Sequence, residues 1–144
     1  MDDARRQEAI EFLNTLLEAE RAGVVAVADL ERVAPADPDV AALLGNLAED
    51  EARYASGLRE QIQRLGGTPS PQVGDFAQKV RELPTFVEKL ELLDRGQRWV
   101  ARRIAKQRSL VSDGETLTFL AEMEVRHELN VARSTQLLNA LRKS

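Results

Sequence analysis

The sequence predicts an all-α protein, a bundle of four long helices in two antiparallel hairpins joined by a long crossover. Three observations carry that prediction. Helix formers (Ala, Leu, Glu, Arg) dominate the long windows while aromatic residues make up only 4% of the chain. Strong turn chemistry is confined to three places and leaves the stretches between them unbroken. Within each stretch apolar residues recur at alternating spacings of three and four, which marks one buried helix face. A chain of 144 residues is sized for a single domain, residues 1–144, with a core of its own.

The first segment runs from about Asp3 to Val33 and stops at "APADPD". There Asp37 can cap the second segment while Pro38 takes its first helical position. The second continues to Leu65 and ends at Gly66-Gly67, with Pro69 and Pro71 beyond it. The third begins near Pro84 and lasts to about Arg108. In the fourth, Ser112 and Glu115 have the spacing of a capping box. Links one-to-two and three-to-four are short, so each pair folds back as a hairpin. The link "GGTPSPQVGDFAQKVREL" is long enough to travel the length of a bundle, with "DFAQKVREL" forming a helical turn or two on the way. One long crossover between two hairpins excludes a simple up-down-up-down order.

A formal net charge of −4 provides no general attraction to phosphate backbones or anionic lipid. The most basic stretch, "RGQRWVARRIAKQR", is broken by apolar positions and reads as a solvated helix side. With no cysteine, disulfide, zinc-thiolate and thiol chemistry are excluded. "MDDARRQEAI" lacks the apolar centre of a signal peptide, and no apolar run has the length of a membrane span. The expectation is a cytoplasmic protein that binds neither nucleic acid nor membrane.

The apolar seams are interrupted by polar residues near mid-helix. The first seam runs Ile10, Leu13, Leu17, Glu20, Val24, Val27; the second runs Val40, Leu44, Leu47, Glu51, Tyr54, Leu58, Leu65. The fourth reads Leu117, Leu120, Glu124, His127, Val131, Ser134, Leu138, Leu141, and His127 is the only histidine in the chain. On the third, one register gives Leu83, Val87, Leu90, Asp94, Gln97, Ala101, Ile104, with Glu91 as a further candidate for the inward position. At about 1.5 Å rise per residue, midpoints of packed antiparallel helices lie at similar depth, so these residues should form one layer. Four buried carboxylates (Glu20, Glu51, Asp94, Glu124) would repel one another unless protonated or matched by cations. Two divalent ions would balance them, and an oxygen-rich set with one imidazole suits iron or manganese. The competing arrangement is a metal-free salt-bridge layer, because Arg21, Arg53, Arg98 and Arg126 lie close to the seam positions. Gly23, Gly57 and Gly96 sit within helices near the same depth, where they either make room for a small ligand or allow close packing. Trp99 and Phe86 read as core or interface anchors.

The order of a Glu on the first helix, a Glu-led pair on the second, a carboxylate on the third and Glu-x-x-His on the fourth resembles the ferritin-like superfamily of di-metal carboxylate proteins. "LNTLLEAERAG", "EDEARY", "RLGGTPSP" and "RGQRWVARR" are similar to a bacterial branch of it. The resemblance covers essentially the whole chain. It implies that Glu20, with Glu51 or Glu124, supplies bridging or terminal carboxylates, that Asp94 is the third-helix carboxylate, and that His127 is a nitrogen ligand. Tyr54 stands where the second-helix motif has His, and is then a redox neighbour or hydrogen-bond donor. The implied function is binding of one or two iron or manganese ions, with oxidoreductase chemistry on dioxygen, peroxide or ferrous iron, in a homodimer. The alternative is a metal-free helical dimer whose buried salt bridges fix helix register.

Overall fold

The computed structural model describes residues 2–143, and every long element in it is a helix. These are α1 (Asp3–Val33), α2 (Pro38–Arg64), a short α3 (Phe76–Glu82), α4 (Phe86–Gln107) and α5 (Gly114–Lys143), with a 3-10 turn at Arg108–Leu110. No helix among the described residues is long and apolar enough to cross a membrane.

Local chemistry explains most of the boundaries. Asp37 caps α2 by accepting the backbone N–H groups of Asp39 at 2.8 Å and Val40 at 3.3 Å, and Pro38 follows it in the first turn. At the other end Gly66 adopts φ 85°, so the Gly67 N–H reaches Ile62 O at 2.9 Å and the Gly66 N–H reaches Gln63 O at 3.0 Å. That pair of bonds is a Schellman stop, and it needs a residue that tolerates positive φ. Helix α4 starts at Phe86, two residues beyond Pro84, because Thr85 caps it through the Glu88 N–H at 3.1 Å. The start of α5 differs from the expected box. Asp113, not Ser112, accepts the Thr116 N–H at 3.0 Å, and it also takes the Thr116 hydroxyl at 2.9 Å and an ion pair from Arg64. A carboxylate that can hold three donors displaces a neighbouring hydroxyl from the cap. Glu115 pairs with Arg64 Nε at 2.6 Å instead of turning back on the helix.

In the bundle α1 packs against α2 and α4, and α5 against α4 and α2. The crossover carries α3 over α1 and against α4. Two apolar clusters fill the interior. One is built from Leu13, Leu16, Leu17, Leu58, Ile62, Ile104 and Leu120 with their neighbours, and the other from Val27, Leu30, Leu44, Leu47, Leu90 and Leu138 with Ala77 and Val80 of α3. Between them in sequence on each long helix lie buried polar residues: Glu20, then Asp50 and Glu51, then Asp94 and Gln97, then His127, Asn130 and Ser134. The polar layer anticipated from the seams is present.

Its register departs from expectation in three places. On α1, Val24 is 37% exposed and Gly23 is buried. On α2, Leu65 is only half-buried, beyond the end of the helix. On α5 the inward line runs Leu120, Met123, His127, Asn130, Ser134, Leu138, which leaves Glu124 and Val131 half-buried. An apolar trace steps over Asn130 to Val131 and so slips to Glu124, whereas the packed helix turns Asn130 inward because a partner waits for it there. Asp37→Ala should cost about 1 kcal/mol, read as a lowered denaturant midpoint with unchanged slope, because the two N–H groups held by its carboxylate lose their partner.

Candidate metal centre

At the middle of the bundle α1 brings Glu20, α2 brings Glu51 and α5 brings His127 to one point. One ligating atom from each lies within 4.8 Å of the others, and the three residues are 0%, 2% and 1% exposed. His127 is oriented by its own helix: Nδ1 contacts the Met123 carbonyl at 2.9 Å. A carbonyl only accepts, so the proton sits on Nδ1, and in the neutral ring Nε2 carries a lone pair. That Nε2 faces Glu20 Oε1 at 2.6 Å. With Glu51 ionised, neither Nε2 nor either Glu20 oxygen meets a hydrogen-bond donor among the described residues; a protonated Glu51 supplies one to Glu20. Two acceptors at that separation require a proton or a cation between or beside them.

Burial governs the protonation of the cluster. The Glu20 carboxyl is pushed up to about 7, chiefly by loss of water, with a hydrogen bond to the Glu51 carboxyl pulling it down and the charge of Asp50 adding to the rise. Glu51 is raised well above the usual carboxylate range, first by burial and then by the charge of Glu20. His127 moves down because burial disfavours the imidazolium, against the attraction of Glu51. Each group is thus pressed toward its neutral form.

Gln97 of α4 completes the layer by donating its amide to Glu51 Oε1, while its own Oε1 is buried without a partner. Gly23 makes room on the α1 side, since a Cβ there would stand 2.6 Å from Glu51 Cδ. Gly57 and Gly96 serve packing, seating the rings of Phe119 and Phe76.

The other expected ligands are not brought to this point. Glu124, one position off the inward line, pairs with Arg108 Nη1 at 3.0 Å. Asp94 is buried but turns to Arg98 Nε at 3.0 Å. Glu91 is half-buried and pairs with Arg142 at 3.3 Å. The Tyr54 ring lies 5.8 Å from the His127 ring, centroid to centroid, yet its hydroxyl points away and bonds Glu122 Oε1 at 3.4 Å. Burial and the Glu122 charge push that phenol up to about 12. Tyr54 therefore walls the imidazole with its ring.

Asp50 had no place in the sequence reading, although it is 5% exposed and holds Arg126 at 3.1 Å and the Asn130 amide at 2.9 Å. The available signal was Asn130 three residues after His127 on α5. The layer is thus divided. Asp50, Asp94 and Glu124 each have an arginine, and among the described residues the Glu20, Glu51 and His127 cluster has none.

A crystal structure described as ferritin like, diiron-carboxylate proteins from Bacillus anthracis str. Ames is similar over 99% of this chain and 98% of its own, with a TM-score of 0.65 and 23% identity. At that identity the likeness establishes the fold, which is ferritin-like. No curated protein matches the chain. A profile described as a domain of unknown function, DUF6306, matches residues 7–136, a span that includes Glu20, Glu51, Gln97 and His127, and the chain belongs to that family.

Proposed function

We propose that the protein binds one iron or manganese ion through Glu20, Glu51 and His127, and that the bound ion serves redox chemistry. The carrying observation is the buried lone pair of His127 Nε2 facing an unpartnered Glu20 carboxylate at 2.6 Å. A divalent cation satisfies His127 Nε2 and the Glu20 carboxylate together and offsets the two buried carboxylates. Two oxygens and one imidazole favour iron or manganese over thiolate-seeking ions. The three-residue cluster supports one ion better than two, because Asp94 and Glu124 are already matched by Arg98 and Arg108.

Such an ion would supply one-electron chemistry toward dioxygen, peroxide or ferrous iron. The chain's own residues do the rest. The Met123 carbonyl fixes the tautomer that leaves Nε2 free to ligate. Gln97 and Gly23 hold the Glu51 carboxyl in place, the first by its amide and the second by having no side chain. Leu17 and Leu47, one turn from Glu20 and Glu51, are buried, and the Tyr54 ring walls the imidazole. The arginine pairs of Asp50, Asp94 and Glu124 favour a metal-free layer for those positions only.

Protein purified from iron- or manganese-supplemented medium should carry close to one metal per chain by elemental analysis. Glu20→Ala and His127→Ala should each lose it, while Asp94→Ala and Glu124→Ala retain it; metal content indifferent to the first pair would sink the proposal. Saturating metal at about a hundred times its dissociation constant should stabilise the fold by about 2.7 kcal/mol, visible as a melting midpoint that falls on adding EDTA.

A pH dependence follows from the raised Glu20 carboxyl. A carboxyl whose folded value exceeds its unfolded one stabilises the fold while protonated, and that stability is lost as pH rises from about 4.5 through about 7. His127, moved down, works in the opposite sense below its ordinary value. In metal-free protein Glu20→Gln should therefore become the more stable form as pH rises across that window, by up to about 3 kcal/mol. Denaturant titrations at pH 5 and pH 8 measure the difference. Gly23→Ala separates site from scaffold, since it should gain up to about 1 kcal/mol of helix propensity yet displace Glu51 and lower metal content.

A further inference from the structure

A groove of about 480 Å³ opens between α1 and α4 beneath α3 and runs inward to Glu51 and Gln97. Its volume falls within the range of small-molecule sites. The wall is mostly apolar: Ala19 and Ala22 on one side, Leu93 and Val100 on the other, Phe76 above, and Trp99 at the rim, 42% exposed. At the mouth Lys79 is paired with Asp75 at 3.6 Å. The inner end is polar. Gln97 is 4% exposed, its amide is committed to Glu51, and its Oε1 is buried with no partner. An acceptor left unsatisfied at the closed end of an apolar groove favours an occupant that brings a donor to it.

We infer that this groove binds a small, largely apolar molecule carrying one hydroxyl or amino donor, with that donor placed against Gln97 Oε1 beside Glu51. Small residues on α1 and the Phe76 ring seated over Gly96 shape the walls, and the Gln97 carbonyl selects for the donor. The crossover thereby acquires a role, because α3 supplies the roof. Use of the groove as a substrate site rests on the metal reading above, whereas binding itself does not.

The test is a titration of EDTA-treated protein with phenol and, separately, with toluene, read by the emission of Trp99, the single tryptophan. Circular dichroism confirms the fold of each variant. Both probes should give a saturable change, and the preference for phenol over toluene should fall about tenfold in Gln97→Leu, the worth of one buried hydrogen bond. Gln97→Met is the second variant should Leu not fold. Ala19→Leu, on the groove wall, should weaken both probes at least tenfold. A wild-type protein with no saturable response overturns the inference, as does a phenol preference untouched by either Gln97 substitution or phenol binding unimpaired by Ala19→Leu. Metal-free conditions keep the two readings separate: phenol binding without any metal binding sinks only the metal site, and metal binding without any phenol binding sinks only the groove.

Discussion

Two acceptors facing each other in a dry interior set the central constraint of this protein. The Met123 carbonyl takes the one proton of the neutral His127 ring, and the remaining nitrogen is left against the Glu20 carboxylate at 2.6 Å. Among the described residues the Glu51 carboxyl also reaches Glu20, and it offers a donor only while it is itself protonated. Four helices converge around the point, so the contact cannot be relieved by a side chain swinging into water. Only a proton or a cation resolves it, and burial sets how strongly either is demanded.

The surrounding layer is organised so that other charges do not resolve it first. Arginines are plentiful at this depth, yet Arg126 is held by Asp50, Arg98 by Asp94 and Arg108 by Glu124. Each pair occupies a partly exposed position where a guanidinium can keep some of its water. The inner cluster is left with Gln97 alone, which can donate to Glu51 without neutralising it. Apolar clusters above and below do not compensate for two buried carboxylates; they raise the cost of leaving them unmatched. The burial that would favour a cation at these three residues also costs stability in its absence, the usual opposition between a site and its scaffold.

The glycines show how tightly this interior is constrained. Gly23 yields its side-chain volume to the Glu51 carboxyl, while Gly57 and Gly96 yield theirs to the rings of Phe119 and Phe76. Through Phe76 the crossover helix is tied to α4, and the groove beneath it leads to the same glutamate that Gly23 accommodates. Site, roof and groove are thus coupled by contact.

What the sequence determined by itself was local and periodic. Helix formers, the Asp37-Pro38 cap, the Gly66-Gly67 stop and the three-four seams specified four helices, their hairpins and the crossover, because each depends on residues a few positions apart. They also placed Glu20, Glu51 and His127 on inward faces at one depth. Tertiary structure decided what periodicity could not. Whether α5 turns Glu124 or Asn130 inward depends on Asp50 waiting across the bundle, and a trace that counts only apolar residues steps over a polar side chain with a distant partner. Whether Tyr54 offers its hydroxyl or its ring depends on Glu122 of α5. Which carboxylates find an arginine, and which are left for a cation, is a matter of distances between helices far apart in the chain.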